Sequence, residues 1–147
     1  MWRFSAAAFA AALLTGPVLA TQVRPGAPSP SSSEYVFTSG AGLLVFHVRP
    51  ERSSDFESIL RRLSEVLGAS VDPVRQRQAA SWRMFRSTEA TTGAALYVFF
   101  FDPAETGADY DPVRVLGEAA PVEAQQYYER LRAAVIKIER IGLARIR

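Results

Sequence analysis

The chain has 147 residues, of which 48% are apolar and 22% are charged, and 17 basic residues stand against 15 acidic ones. This composition is typical of a folded globular protein, and the length suffices for one domain. The absence of cysteine excludes disulfides, thiolate zinc sites, iron–sulfur clusters and cysteine nucleophiles. Since His47 is the single histidine, a multi-histidine metal centre is disfavoured, and the sequence predicts neither a metal site nor a cofactor.

The N-terminal segment has the pattern of a secretory signal peptide. Arg3 supplies a positive charge, residues 4–14 form an apolar stretch, and Gly16-Pro17 interrupts it. A transmembrane anchor needs about 20 continuous apolar residues, which this segment does not have. We therefore expect cleavage after Ala20 and a secreted or periplasmic protein with no stable membrane span after cleavage.

The mature chain is expected to begin with a linker. Residues 21–34 are rich in proline and serine and lack apolar periodicity, which is typical of a flexible segment. The remainder, residues 35–147, is long enough for one modest hydrophobic core. The sequence thus divides into a signal peptide at 1–20, a linker and a single domain.

The domain begins with a predicted strand over residues 42–49, followed by a helix. The pair Ser54 and Glu57 forms a capping box that favours a helix start, and Gly68 is expected at its C′ position. The apolar residues recur on one side of this helix at Phe56, Ile59, Leu60, Leu63, Val66 and Leu67. Asp72-Pro73 then predicts a short helical turn.

Two strands follow, over residues 80–87 and 94–101. Alternation in the first strand places Trp82 and Arg83 on opposite faces. The second strand is so apolar that both of its faces must be covered.

The C-terminal part is predicted to be helical. Asp111-Pro112 favours a short helix that ends near Gly117, and Pro121 favours the start of a second long helix. The apolar side of the long helix is formed by Ala124, Tyr128, Leu131, Val135 and Ile138. Residues 137–147 fit either a final strand or the end of that helix.

The element order β-α-β-β-α-β predicts an α+β fold of the ferredoxin-like type. In this arrangement a four-stranded antiparallel sheet carries its helices on one face and leaves the other face bare. The apolar strand 94–101 indicates that the bare face is buried as well. The simplest cover is a second copy of the same sheet, so we expect a homodimer.

The element order and the apolar strands resemble those of the dimeric α/β-barrel superfamily, which includes the antibiotic-biosynthesis-monooxygenase-like domains. The resemblance extends from Gly42 to about Val135. Several runs are similar to a group of secreted bacterial proteins of unassigned activity: HVRPER at 47–52, DFE at 55–57, AASWRMF at 79–85, LYVFFFDP at 96–103 and GADYD at 107–111. Because the superfamily contains cofactorless oxygenases, haem enzymes and proteins that only bind, the resemblance leaves the reaction open.

The candidate catalytic residue is His47 in the first strand, as a general base or an axial haem ligand. Haem ligation in the resembling superfamily comes from outside this strand, and a strand histidine bonded to a neighbour is the alternative. The candidate ligand-binding residues are Trp82, Arg83, Tyr97 and Phe99. Their aromatic rings would contact a hydrophobic small molecule, with Arg83 holding an anionic group. The alternative for the rings is a sheet core with a dimer interface.

Two further classes of site are disfavoured. Four carboxylates occur within ten residues, at Asp102, Glu105, Asp109 and Asp111. They lack the register of a calcium-binding loop, and Asp102 and Asp111 are explained by a strand end and a helix cap. Basic residues do not cluster, so we expect no nucleic acid partner.

The sequence therefore predicts an exported homodimer that binds a small ligand or a partner without catalysis. The alternative is a cofactorless oxygenase or isomerase that acts on a small aromatic substrate inside the barrel, using His47 and Trp82. A polar cavity beside His47 in the dimer would favour this alternative.

Overall fold

The computed structural model describes residues 35–89 and 92–146. The predicted signal peptide, its cleavage site and the linker lie outside these residues. The elements are β1 (Ala41–Val48), α1 (Ser53–Ala69), α2 (Pro73–Ser81), β2 (Trp82–Arg86), β3 (Ala95–Phe101), α3 (Pro112–Ala119), α4 (Ala124–Ala134) and β4 (Val135–Leu143). None of the helices in the described ranges is long and apolar enough to cross a membrane.

The strands form one four-stranded sheet in the order β2-β3-β1-β4, with all neighbours antiparallel. Because β3 lies between the parallel strands β1 and β2, this is the split β-α-β arrangement. The predicted ferredoxin-like α+β fold is confirmed. Of the two interpretations of the C-terminal residues, the strand is correct, since β4 pairs with β1 from Leu143 to Val135.

The helices cover one face of the sheet. The residues of β1 and β3 that point towards the helices are at most 2% exposed: Leu44, Phe46, Val48, Tyr97, Phe99 and Phe101. The predicted apolar side of α1 supplies Phe56, Ile59, Leu63 and Leu67 to this core. The Phe46 ring lies 4.5 Å from the Phe99 ring and 5.5 Å from the Phe56 ring, measured between centroids.

The start and end of α1 differ from the prediction. The helix begins at Ser53 after a 3-10 turn, and its N-cap Arg52 makes no side-chain cap bond. The predicted capping box is therefore wrong, because the Glu57 carboxylate accepts hydrogen bonds from the Tyr97 hydroxyl and from Arg86 instead. The helix continues through Gly68, so the predicted C′ glycine is wrong as well.

The segment after Asp72 is a nine-residue helix, longer than the predicted turn. Asp72 caps it as expected by accepting from the backbone N–H groups of Val74 and Arg75. The helix lacks an apolar stripe but buries Gln78, whose side-chain amide donates to the Asp109 carbonyl. This tertiary contact extends the helix to Ser81, so β2 begins at Trp82 instead of residue 80.

The last helix is shorter than predicted. It ends at Ala134 and buries Tyr127 and Leu131, whereas Tyr128 is 46% exposed. The predicted apolar side combined helix positions with residues of the following strand, which is why it selected the wrong tyrosine. Asp111 caps α3 as predicted, by accepting from the Val113 N–H, and α3 continues to Ala119.

A β-bulge interrupts β4 near its start. Val135 pairs with Val48 and Lys137 pairs with His47, so that Ile136 is an extra residue on β4. The bulge keeps Val135 on the side of the core and places Lys137 on the other side, beside His47.

Candidate functional site

The second face of the sheet is not covered by any element of the described ranges. Its side chains come from alternate positions of the strands, and none of them is fully buried. They belong to Ala41, Leu43, Val45, His47, Arg83, Phe85, Leu96, Val98, Phe100, Lys137, Glu139, Ile141 and Leu143. We call this set the open face. The central strands β1 and β3 supply apolar side chains and His47, while the charged side chains stand on the edge strands.

The open face exposes large apolar side chains to water. Phe85 is 55% exposed and Ile141 is 41% exposed, and both lie beside the partly exposed apolar residues of β1 and β3. Scattered apolar residues are ordinary on protein surfaces, but a contiguous apolar patch is typical of an interaction surface or a ligand site.

A polar cluster lies at one end of the open face. The Glu139 oxygen Oε1 is 2.9 Å from His47 Nε2 and 2.7 Å from Lys137 Nζ. Hydrogen bonding from Lys137, and then from His47, holds the pKa of the Glu139 carboxyl below its ordinary value. The carboxylate thus stays ionised and fixes the orientation of the imidazole.

A basin lies at the opposite end of the open face. Its volume is 760 Å³, and it is lined by Ser39, Gly40, Ala41, Phe100, Asp102, Pro103, Leu143, Ala144 and Arg145. Asp102 and Arg145 form an ion pair of 3.1 Å in its wall. Ala41, Phe100 and Leu143 also belong to the open face. The basin is therefore continuous with the apolar side chains of β1 and β3 on that face, which we call the apolar strip. A volume of this size is within the range of small-molecule sites.

Two other cavities lie on the helical side. One of 490 Å³ is bounded by α1, α2 and α3, and one of 270 Å³ by α4 and β4. Neither contains a residue that the sequence singled out as catalytic or ligand-binding.

The structure separates the candidate residues by face. His47 and Arg83 lie on the open face, two strands apart. Trp82, Tyr97 and Phe99 lie beneath the helices and are 7%, 2% and 0% exposed. This burial favours the alternative interpretation of the three rings as a sheet core.

The contacts of the buried rings are those of a core. Trp82 packs against Phe101 and Tyr110 with ring centroids 5.2 Å and 5.4 Å away. The Tyr97 hydroxyl donates to Glu57 over 2.7 Å. Burial, and then the bond to Glu57, raises the pKa of Tyr97, so this hydroxyl remains protonated at neutral pH.

Sequence reasoning missed Glu139 and Lys137. Both residues belong to the segment that fitted either a strand or a helix end, and the contact of Glu139 with His47 spans 92 positions of the chain. A signal was present in the alternation Ile-Lys-Ile-Glu at 136–139, which is typical of a half-buried strand.

The acidic loop is bound into separate contacts. Glu105 pairs with Arg77, Asp109 pairs with Arg114, and Asp111 caps α3. In the part of the chain that the structure describes, no three His, Cys, Asp or Glu side chains come together as a possible metal site.

Comparisons with known proteins add one structural likeness. No family model matches the chain, and no curated protein matches it. The chain is similar to the crystal structure of a dimeric ferredoxin-like protein from an uncultured marine organism, with 20% sequence identity and a TM-score of 0.39. The match covers 75% of this chain and 92% of that chain. The ferredoxin-like α+β class is established here by the strand order and pairing of the chain itself.

Proposed function

We propose that two copies of this chain associate through their open faces and bind a small apolar molecule between the two sheets. The observation that carries the proposal is the contrast within β1 and β3. Both faces of these strands are largely apolar, but the helices cover only one. Following the predicted signal peptide, we place this homodimer outside the cytoplasm.

The size of the open face supports a dimer. Four strands about 4.8 Å apart, with about seven residues each at about 3.3 Å, span roughly 19 Å by 23 Å. Two such faces present on the order of 900 Å² in projection, close to the about 1,000 Å² of a specific interface. Side-chain relief and contacts between edge strands add to this area.

The positions of the edge strands and of the charged side chains favour a dimer with a two-fold axis parallel to the strands. The edge strands are β2 and β4, and a two-fold axis parallel to the strands places β2 of one copy opposite β4 of the other. Arg83 on β2 is level with Ile141, two residues from Glu139 on β4. Arg83 of one copy and Glu139 of the other thus lie within about 7 Å of each other along the strand direction. Each edge strand of one copy also faces an edge strand of the other.

The ligand site would extend from the basin along the apolar strip. Phe100 and Leu143 offer apolar contact at the mouth of the basin, and Arg145 offers a cation to a ligand that carries an anionic group. The side chain of Arg145 is 81% exposed, so exchange of Asp102 for such a ligand needs no rearrangement of the core.

The dimer is tested by one substitution in the open face and one outside it. Val98→Asp places a carboxylate in the middle of the apolar strip, whereas Val122→Asp changes a residue that is 96% exposed on the helical side. Sedimentation velocity should show a dimer for the natural protein and for Val122→Asp and a monomer for Val98→Asp. A monomeric natural protein at micromolar concentration would overturn the proposal.

The ligand is tested by native mass spectrometry of protein purified from its host. The dimer should carry an additional small mass that the Val98→Asp monomer loses. A dimer with no added mass after gentle purification, and no binding of a fluorescent apolar probe, would leave dimerisation standing and contradict ligand binding.

A second candidate is favoured by the pairing of His47 with Glu139. An imidazole oriented by a carboxylate is an arrangement that serves general-base catalysis, here facing the space between the sheets. A cofactorless oxygenase or isomerase acting on a small aromatic substrate would use it. Oxygen uptake with 1-naphthol that is lost on His47→Gln would support the oxygenase, and equal rates in both proteins would contradict it.

A further inference from the structure

The polar cluster of the open face stands in an unusual position for charged groups. His47 belongs to β1, an interior strand of the sheet, and its side chain is 27% exposed. A second copy that covers the open face would remove this remaining exposure. The energetics of the proposed interface then depend on the charge that the imidazole carries.

The cluster has one negative charge for two nitrogen partners. Lys137 and His47 both contact the same oxygen of Glu139, at 2.7 Å and 2.9 Å. With a neutral imidazole the cluster is balanced, because Lys137 and Glu139 cancel. With a protonated imidazole it carries an uncompensated positive charge.

On the strands beside His47, the described residues of the open face offer no second acid. Its partner on β3 is Leu96, and β2 contributes Phe85 and Arg83 to the open face. Beyond β1, the Arg49 guanidinium is bonded to the carbonyls of Ala133 and Val135. Among the described residues, Glu139 is the one acidic side chain of the open face.

The symmetry of the proposed dimer doubles the effect. Rotation about an axis parallel to the strands leaves each residue at its position along the strand direction, so the two clusters lie at the same end of the interface. In addition, Arg83 of the second copy brings a further positive charge to the side of Glu139, so in the dimer a protonated imidazole adds to a positive charge that is already in excess. The dimer would therefore cover two protonated imidazoles together, and the Glu139 beside each of them already pairs with Lys137.

We propose that protonation of His47 dissociates the dimer, so that this cluster makes the assembly sensitive to pH in the mildly acidic range. The inference rests on the proposed function, since it concerns the same face. Imidazoles change charge between about pH 5 and pH 8, where the Glu139 carboxylate, whose pKa is lowered, stays ionised. Because the separated copies take up more protons than the dimer, acidification favours dissociation.

Sedimentation equilibrium of the full-length mature protein tests this at constant ionic strength. The dimer dissociation constant should rise at least about tenfold between about pH 8 and about pH 5.5. His47→Gln keeps a hydrogen-bonding partner for Glu139 but cannot be protonated, so its dissociation constant should stay constant over that range. Lys137→Met leaves Glu139 free to balance the imidazolium, so its pH dependence should shrink.

A matched control removes a cation elsewhere. Arg61→Met changes an exposed residue on the helix α1 and should keep the full pH dependence. A dimer of constant affinity from pH 8 to 5.5 would overturn the switch and leave the dimer intact. A pH dependence that persists in His47→Gln would overturn it too. A natural protein that is monomeric at every pH contradicts the proposed function itself.

Discussion

The two faces of the sheet are built from the same strands and differ in what covers them. On β1, Leu44 and Phe46 are completely buried by the helices, whereas Leu43 and Val45 on the reverse side remain partly exposed. The covered face also contains the aromatic cluster, and the open face contains the cluster of His47, Lys137 and Glu139. The comparison teaches that a strand can be apolar on both faces while the described part of the chain covers only one of them.

The largest expected effect is a difference in the free energy of unfolding between a substitution on the covered face and one on the open face. Phe46→Ala removes a ring packed between Phe56 and Phe99 and should cost about 3–5 kcal/mol of unfolding free energy. Val98→Ala on the open face should cost less than about 1 kcal/mol at concentrations where the protein is monomeric. Urea denaturation followed by circular dichroism measures both, and equal losses would mean that the open face is a second core.

A smaller effect is expected at the polar rim of the covered face. Tyr97→Phe deletes the hydroxyl that donates to Glu57 and should cost about 1 kcal/mol near neutral pH. Since the pKa of Tyr97 is raised, the folded state favours the protonated hydroxyl, and stability should fall as pH rises above about 10. Urea titrations of both proteins at neutral and alkaline pH provide the measurement. An unchanged alkaline fall in Tyr97→Phe would assign it to other tyrosines.

The smallest effect is expected at the polar cluster of the open face in the monomer. The pKa of Glu139 is lowered from its ordinary value of 4.5, so its contribution is present above that pH and is lost as pH falls through the lower folded value. Glu139→Gln should remove this acid-side dependence and lower stability at neutral pH only by the small amount that the natural protein loses on acidification. Thermal unfolding of the monomeric Val98→Asp background between pH 3 and 7, with and without Glu139→Gln, checks it. A large loss at pH 7 would show that the cluster holds the monomer together.

The fold was largely predictable because its main strands and its first helix have clear patterns of apolar residues. The strands β1 and β3 combine β-branched and aromatic residues, and the apolar side of α1 follows the helical period over three turns. Helix caps at Asp72 and Asp111 were predictable for the same reason, since an aspartate before a proline has a local function. Local chemistry sufficed at these positions.

Prediction failed where a residue found its partner far along the chain. Glu57 was expected in a capping box, but β2 and β3 bring Arg86 and Tyr97 to its carboxylate. Likewise, the polar helix α2 is extended by the bond of Gln78 to the Asp109 carbonyl. The residues of the polar cluster with His47 were not predicted for the same reason, since they come from the last strand.

The β-bulge at Ile136 has a consequence for how the C-terminal strand tolerates change in length. Side chains alternate along a strand, so one inserted residue reverses the assignment of every later residue to a face. If Ile136 were paired with His47 and no bulge formed, continuous pairing from Val135 would put Lys137 opposite Phe46 and Glu139 opposite Leu44, on the face that the helices cover. Because the bulge leaves Ile136 unpaired, the chain's only lysine lies on the open face. Deletion of Ile136 would remove the bulge and leave Val135 and Lys137 opposite Val48 and His47, whereas a deletion later in the strand would move the residues that follow it to the other face.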